Sequence, residues 1–262
     1  MTTAASPSLS QAEITRFRDQ GYLPGPYDLC SPEEMAAIRR RVDVEVLGTD
    51  PPFAYAIPAD ELRSLRVQYR HLDRKVVWDL CSHPAVVAAI RSILGRDLIL
   101  WRSLFFHKPP GAEGTRWHTD AKFWPMLDPQ INVTAWVALT DTDLDTACMQ
   151  VIPGSHKQKP PHTNSSDYDA ADFTYADLEH IDVAHAVPIP MKAGQFFLLD
   201  ERILHGADRN HSKDRRRLGL AVRTTIPYVR VDHRQLFPGH KVIILSGVDS
   251  VGINDVTDPP LL

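Results

Sequence analysis

The sequence predicts a mainly β fold, two packed sheets or a barrel, set behind a helical leader. Three observations lead there. Helix-start signals are confined to the first 96 residues, and from Leu98 onward the chain turns to short apolar and aromatic runs with alternating polarity. The 21 prolines against 13 glycines suit many short strands with ordered connections better than a helical bundle.

The elements follow in order. Residues 1–9 are small and polar and are expected to form a disordered tail. Ser10-Gln-Ala-Glu13 is a capping box, and Ile14 and Phe17 supply the apolar stripe of a short helix ending before Gly21. Ser31-Pro32-Glu33-Glu34 repeats the signal with proline at the first helical position, and Met35, Ile38, Val42 and Val46 continue at helical spacing. Asp50-Pro-Pro opens a loop, and Leu62 to Tyr69 is ambiguous. Val86, Ile90 and Leu94 mark a helix over Pro84–Leu94, closed by Gly95. Up to this point the leader (10–96) reads as helical decoration.

Leu98 to His107 reads as a long strand ending at Pro109-Pro110-Gly111, and His118 to Phe123 as a short extended piece. Ile131, Val133, Ala135, Val137 and Leu139 alternate with Asn132, Thr134, Trp136, Ala138 and Thr140, the period of a two-faced strand. Ala147–Ile152 is a further strand, and others are expected near Val187, at Phe196–Leu199, around Leu204 and from Leu218 to Tyr228. Residues 157–186 are polar and without period, too long for a plain connection, so a lid or binding loop is expected. The division is one domain over 1–262, with a core at 97–228 and an extension at 229–262.

Net charge of −4 gives no electrostatic reason to expect nucleic-acid binding. Cys30, Cys81 and Cys148 are odd in number and lack Cys-x-x-Cys spacing, so neither a disulfide framework nor a zinc site is expected. There is no signal peptide and no run of about 20 apolar residues, so the expectation is a cytoplasmic protein without a membrane partner.

The chemistry centres on Trp117-His118-Thr119-Asp120. On an extended strand His118 and Asp120 leave the same face, giving an imidazole and a carboxylate, two parts of a 2-His-1-carboxylate site for Fe(II). A second histidine, His205, follows the apolar run Phe196–Leu199 beside Gly206. Arg216, eleven residues on, offers a planar fork suited to a carboxylate.

Trp117-His-Thr-Asp120, Trp136-Val-Ala-Leu-Thr-Asp141, Val151-Ile-Pro-Gly-Ser-His156, His205-Gly206, Asn210 and Arg216, in this order, resemble the phytanoyl-CoA dioxygenase family of Fe(II)/2-oxoglutarate oxygenases. The leader matches too, and the likeness covers roughly residues 10–228. It implies a double-stranded β-helix (a jelly roll, cupin-like) flanked by helices, and Fe(II) on His118, Asp120 and His205. It also implies 2-oxoglutarate anchored by Arg216, with Trp136, His107 and Thr119 lining its pocket. O2 is then the second co-substrate and ascorbate an activator.

The sequence departs from the family pattern at Thr119, at Ala207 and at Thr146-Ala147, where Asn-Gly is usual. Related halogenases carry Gly or Ala at the carboxylate position. Asp120 fills it here, so hydroxylation of a small metabolite or natural-product intermediate is expected, by a monomer or homodimer. Desaturation and ring closure stay open, as do a non-catalytic metal-binding barrel and an iron enzyme independent of 2-oxoglutarate. Phe123, Trp124, Arg223 and Tyr69 are candidate substrate contacts, Arg63 and Trp101 weaker ones. His156 reads as a turn-stabilising residue.

Overall fold

The computed structural model describes residues 8–48, 67–158 and 182–261. The expected tail up to residue 7, Arg63 and most of the expected lid lie outside the described residues.

Both capping boxes form. Ser10 and Glu13 exchange hydrogen bonds at the start of α1 (Gln11–Gln20), and Ser31 and Glu34 do the same at α2 (Pro32–Val42). Gly21 ends α1 at φ 78, and a Cβ there would lie 2.5 Å from His156 Nδ1, so both backbone and space require glycine. A π-helical turn, Asp43–Leu47, extends α2. Two helices follow, α3 (Lys75–Cys81) and α4 (Pro84–Leu94), their apolar faces buried. The helical leader needs correcting in two places. It contains a strand, β1 (Tyr22–Asp28), and the N-cap of α3 is Arg74, whose side chain makes no capping bond and so leaves no signal in the residues.

The remaining strands are β2 (Leu98–Lys108), β3 (Thr115–His118), β4 (Leu127–Asp128), β5 (Val133–Ala138), β6 (Gln150–Val151), β7 (Val187–Pro188), β8 (Gln195–Asp200), β9 (His205–Ala207), β10 (Arg217–Thr225), β11 (Arg230–Val231) and β12 (Ile243–Ser246). A six-stranded sheet runs β1-β8-β5-β10-β2-β12 and a four-stranded sheet β3-β9-β6-β7; β4 and β11 form a separate pair. The pairings among these strands are antiparallel, so the fold is mainly β antiparallel sheet with a few helices.

The six-stranded sheet has two different faces, set by the period of two. Val133, Ala135 and Val137 of β5 and Leu218, Leu220 and Val222 of β10 point toward the helices. There they pack with Met35, Val77, Ile90 and Phe105. Each large apolar side chain among them contributes about 1.5–3 kcal/mol by leaving water. Trp136, Ala138 and Ala221 point the other way and pack with Val151 from β6 and Phe197 from β8. The second face covers the site.

Candidate metal centre

Two short strands deliver the histidines. His118, the last residue of β3, is paired directly with His205, the first of β9, and their ring centroids are 4.2 Å apart. Beyond His118 the chain does not stay extended as the sequence suggested. A 3-10 turn begins at Asp120 and runs to Phe123, which folds the carboxylate back so that His118 Nε2 and Asp120 Oδ1 are 3.9 Å apart. The ligand atoms of His118, Asp120 and His205 all lie within 4.8 Å of one another.

Hydrogen bonds settle which nitrogens are available. His118 Nδ1 is 2.8 Å from the Arg116 carbonyl and His205 Nδ1 is 3.0 Å from that of Ile203. A carbonyl only accepts, so both Nδ1 atoms carry hydrogen and both Nε2 lone pairs are left for a metal. Burial, with His205 beside it, pushes the His118 imidazolium down to about 4, so the ring is neutral at neutral pH. Burial alone would raise Asp120, but Arg223, then His205 and His118, hold it below the usual carboxylate range. Arg223 donates from Nη2 to both carboxylate oxygens, at 3.2 and 3.3 Å, and lies 4.5 Å over the Trp124 ring. Two imidazoles fixed at Nδ1 and one oriented carboxylate are the donor set that suits Fe(II) and leaves positions open.

The arginine expected to anchor 2-oxoglutarate is on the wrong side of the sheet. Arg216 pairs with Asp43 at 2.6 Å, both about one-third exposed, and its charge acts on the exposed His107. His107 pairs with Leu218, on the helix-facing side. Strand alternation explains both corrections: Leu218, Leu220 and Val222 fix one face of β10, so Arg217, Gly219, Ala221 and Arg223 share the other.

Arg217 is buried on that second face, 5.2 Å over the Trp136 ring, and donates to the Ala147 carbonyl. Its strand partner is Lys108, also buried, whose Nζ donates to the Asp208 carbonyl at 3.3 Å. Burial lowers Arg217 to about 10, and burial, then Arg217, lowers Lys108 to about 8. Arg217 Nε and Trp136 Nε1 are buried without a hydrogen-bond partner among the described residues. Buried donors beside two cations that no described carboxylate pairs fit an anionic ligand at this spot. Gly219 keeps the strand close, since a Cβ there would collide with the Trp136 ring.

The turn that carries Arg217 explains Asn210. Its Nδ2 donates to the Lys108 and Arg215 carbonyls and its Oδ1 accepts from Ser212, tying the β9–β10 connection to β2. His156 is structural, hydrogen-bonded to the Arg18 carbonyl, and Ser155 Oγ accepts from the Leu204 amide.

The remaining expected residues divide. Thr119 is buried and caps nothing with its side chain. Phe123 packs on His118 at 5.6 Å. Trp124 is core, edge-on to Trp101 at 5.2 Å, and supports Arg223. Tyr69 is buried against Phe237 and His240, with Arg102 at 5.6 Å over its ring. The sequence analysis named neither Arg217 nor Lys108, which share the face of Trp136. The signal was there for Arg217, in the alternation of Leu218, Leu220 and Val222.

The phytanoyl-CoA dioxygenase family model matches residues 17–218. Ectoine dioxygenase of Halomonas elongata is 27% identical over 259 residues, covering 89% of this chain and 77% of that protein. A probable alpha-ketoglutarate-dependent hypophosphite dioxygenase of Stutzerimonas stutzeri is 30% identical, covering 59% and 55%. Peroxisomal phytanoyl-CoA dioxygenase of Bos taurus is 23% identical, covering 78% and 59%. This chain thus spans little more than half the length of the latter two.

Among solved structures, CytC3 with Fe(II) and alpha-ketoglutarate superposes with a TM-score of 0.69 at 26% identity, over 95% of this chain and 93% of that one. EctD from S. alaskensis in its apoform superposes with a TM-score of 0.71 at 19% identity, over 100% and 91%, a likeness of fold. With the geometry above, the chain belongs to the phytanoyl-CoA dioxygenase family and is a 2-oxoglutarate-dependent dioxygenase that uses Fe(II) and O2.

Proposed function

We propose that this enzyme hydroxylates an unactivated C–H bond of a small metabolite, releasing succinate and CO2. The observation that carries the reading is Asp120: a carboxylate, oriented by Arg223, occupies the third ligand position, leaving no gap there for a halide. His118 and His205 would hold Fe(II) through Nε2, and Arg217 with Lys108 would receive the far carboxylate of 2-oxoglutarate beside Trp136. Bound Fe(II) supplies the activation of O2 and the oxidation of 2-oxoglutarate. The chain's own part is to fix both imidazoles at Nδ1, keep the carboxylate ionised, pack Phe123 on His118 and seat Arg223 over Trp124.

Within this reading the two larger sheets are the halves of a double-stranded β-helix, residues 1–262 form one catalytic domain, and the segment 157–186 acts as its lid. The test is succinate release from 2-oxoglutarate with Fe(II) and ascorbate, followed by mass analysis of a metabolite set. A product gaining one oxygen atom supports hydroxylation, and one losing two hydrogens replaces it with desaturation or ring closure. Oxidation without 2-oxoglutarate would overturn the Arg217 assignment.

A further inference from the structure

Arg102 and Arg223 are direct cross-strand partners on β2 and β10, and both lie on the metal face of the sheet. Like charges placed opposite each other on neighbouring strands destabilise a sheet. Arg223 is committed to Asp120 and to the Trp124 ring. Arg102 has no carboxylate partner among the described residues. Its hydrogen bond there goes to the neutral Gln68 amide oxygen, its charge lies over Tyr69, and its Nε is buried and unpartnered. Its strand partner Arg223 holds Asp120, so Arg102 stands next to the arginine that serves the metal centre.

The local charges do not balance without a further anion. Asp120 offsets Arg223. The two negative charges of 2-oxoglutarate would be outnumbered by divalent iron together with Arg217, so no described carboxylate is left for Arg102. Gln68 is held beside it by a bridge to Leu104 on β2, and its amide oxygen accepts from the guanidinium. A planar fork with a buried, unused N–H fits a carboxylate best, and a charge-assisted bond there is stronger than a neutral one.

We infer that the primary substrate carries a carboxylate, and that Arg102 receives it and so fixes which C–H bond faces the iron. The inference deepens the hydroxylase reading and rests on it. A purely structural Arg102 would hold Tyr69 by its cation–π contact and Gln68 by its hydrogen bond, and its loss would then lower stability without changing ligand choice.

The experiment uses the full chain loaded with Zn(II) and 2-oxoglutarate, which cannot turn over. The probes are short-chain aliphatic and aromatic monocarboxylates, each paired with its primary amide, and binding is read by ligand-observed NMR. Wild type should bind carboxylates at least tenfold tighter than the amides, Arg102→Gln should abolish that preference, and Arg102→Lys should keep part of it. Equal binding of acid and amide to wild type overturns the proposal without any variant. So does a preference that survives in Arg102→Gln, or one lost in Arg217→Ala instead. Separate titration of 2-oxoglutarate reads the hydroxylase assignment: if it does not bind, that assignment falls, while the acid-over-amide ratio still reports on Arg102.

Discussion

Arg216 and Arg217 are neighbours in the chain and leave opposite sides of the six-stranded sheet. Arg216 reaches Asp43 of the helical leader at 2.6 Å, whereas Arg217 lies buried over Trp136. The first pair is about one-third exposed and contributes roughly 0.2–1 kcal/mol. The second guanidinium has no carboxylate among the described residues, so a bound one should add about 2–3 kcal/mol. Arg217→Ala should therefore raise the KM for 2-oxoglutarate about 30- to 150-fold, and Arg216→Ala should leave it within about twofold. Equal effects of the two substitutions in succinate-release assays would show that the face assignment is wrong.

Asp120 and Arg223 form a buried pair that a metal would share. Removing one partner of such a pair leaves the other uncompensated, at a cost of about 3 kcal/mol. A divalent ion on the triad supplies the missing positive charge. Arg223→Met should thus lower the Tm of the metal-free protein, and added Zn(II) should raise Tm by more in the variant than in wild type. Thermal unfolding with and without Zn(II) checks this; an identical metal increment in both proteins would mean that Arg223 does not compensate Asp120.

Much of this is legible in the residues, and the gaps have physical causes. Ser10, Glu13, Ser31 and Glu34 announce their helices because capping is local chemistry. His118, Asp120 and His205 can be assembled because their spacing and order form a recognisable pattern. Arg216 misleads because counting residues from His205 runs across a turn, where alternation is lost. The face is fixed from beyond the turn instead, by the apolar series Leu218, Leu220 and Val222, which puts Arg217 on the side of the metal. β1 escapes notice because Pro24, Gly25 and Pro26 interrupt its pattern, and only pairing with β8 makes it a strand. The role of Arg102 depends on a register between strands more than a hundred residues apart, which no local pattern encodes.

His71 gives the stability a defined pH dependence. It is buried with Nδ1 2.8 Å from Ser103 Oγ, and burial, then the nearby His240, pushes its imidazolium down to about 3. The unfolded chain takes up that proton near pH 6.5, well before the folded one. The stability contributed by the neutral ring is therefore whole above about pH 6.5 and is lost as pH falls toward 3, at about 1.4 kcal/mol per pH unit. His71→Asn can keep the contact to Ser103 but cannot titrate. Between about pH 6 and 4 its unfolding free energy should fall less steeply than that of wild type by that amount, as measured by urea denaturation of the metal-free protein. Parallel curves would show that His71 is not neutral in the fold.

Ala147 stands at φ 64, in the left-handed region, fully buried, and its carbonyl accepts from Arg217. Thr146 before it is locked to Asp143 by hydrogen bonds from its amide and hydroxyl, so the turn holds this conformation. A left-handed residue other than glycine carries about 1–2 kcal/mol of strain. Ala147→Gly would relieve it but would lose a buried methyl and gain unfolded-state freedom, so stability should change by less than about 1 kcal/mol. Ala147→Val has no such balance. A β-branched side chain is strained at this φ and adds volume to a closed core, together costing about 3 kcal/mol, or a Tm lower by roughly 6–12 °C. Because the carbonyl positions Arg217, the valine variant should also bind 2-oxoglutarate at least tenfold more weakly, while the glycine variant keeps its affinity. Calorimetric unfolding and a 2-oxoglutarate titration on the same three proteins read both effects, and a valine variant with unaltered affinity would detach Ala147 from the anchoring of Arg217.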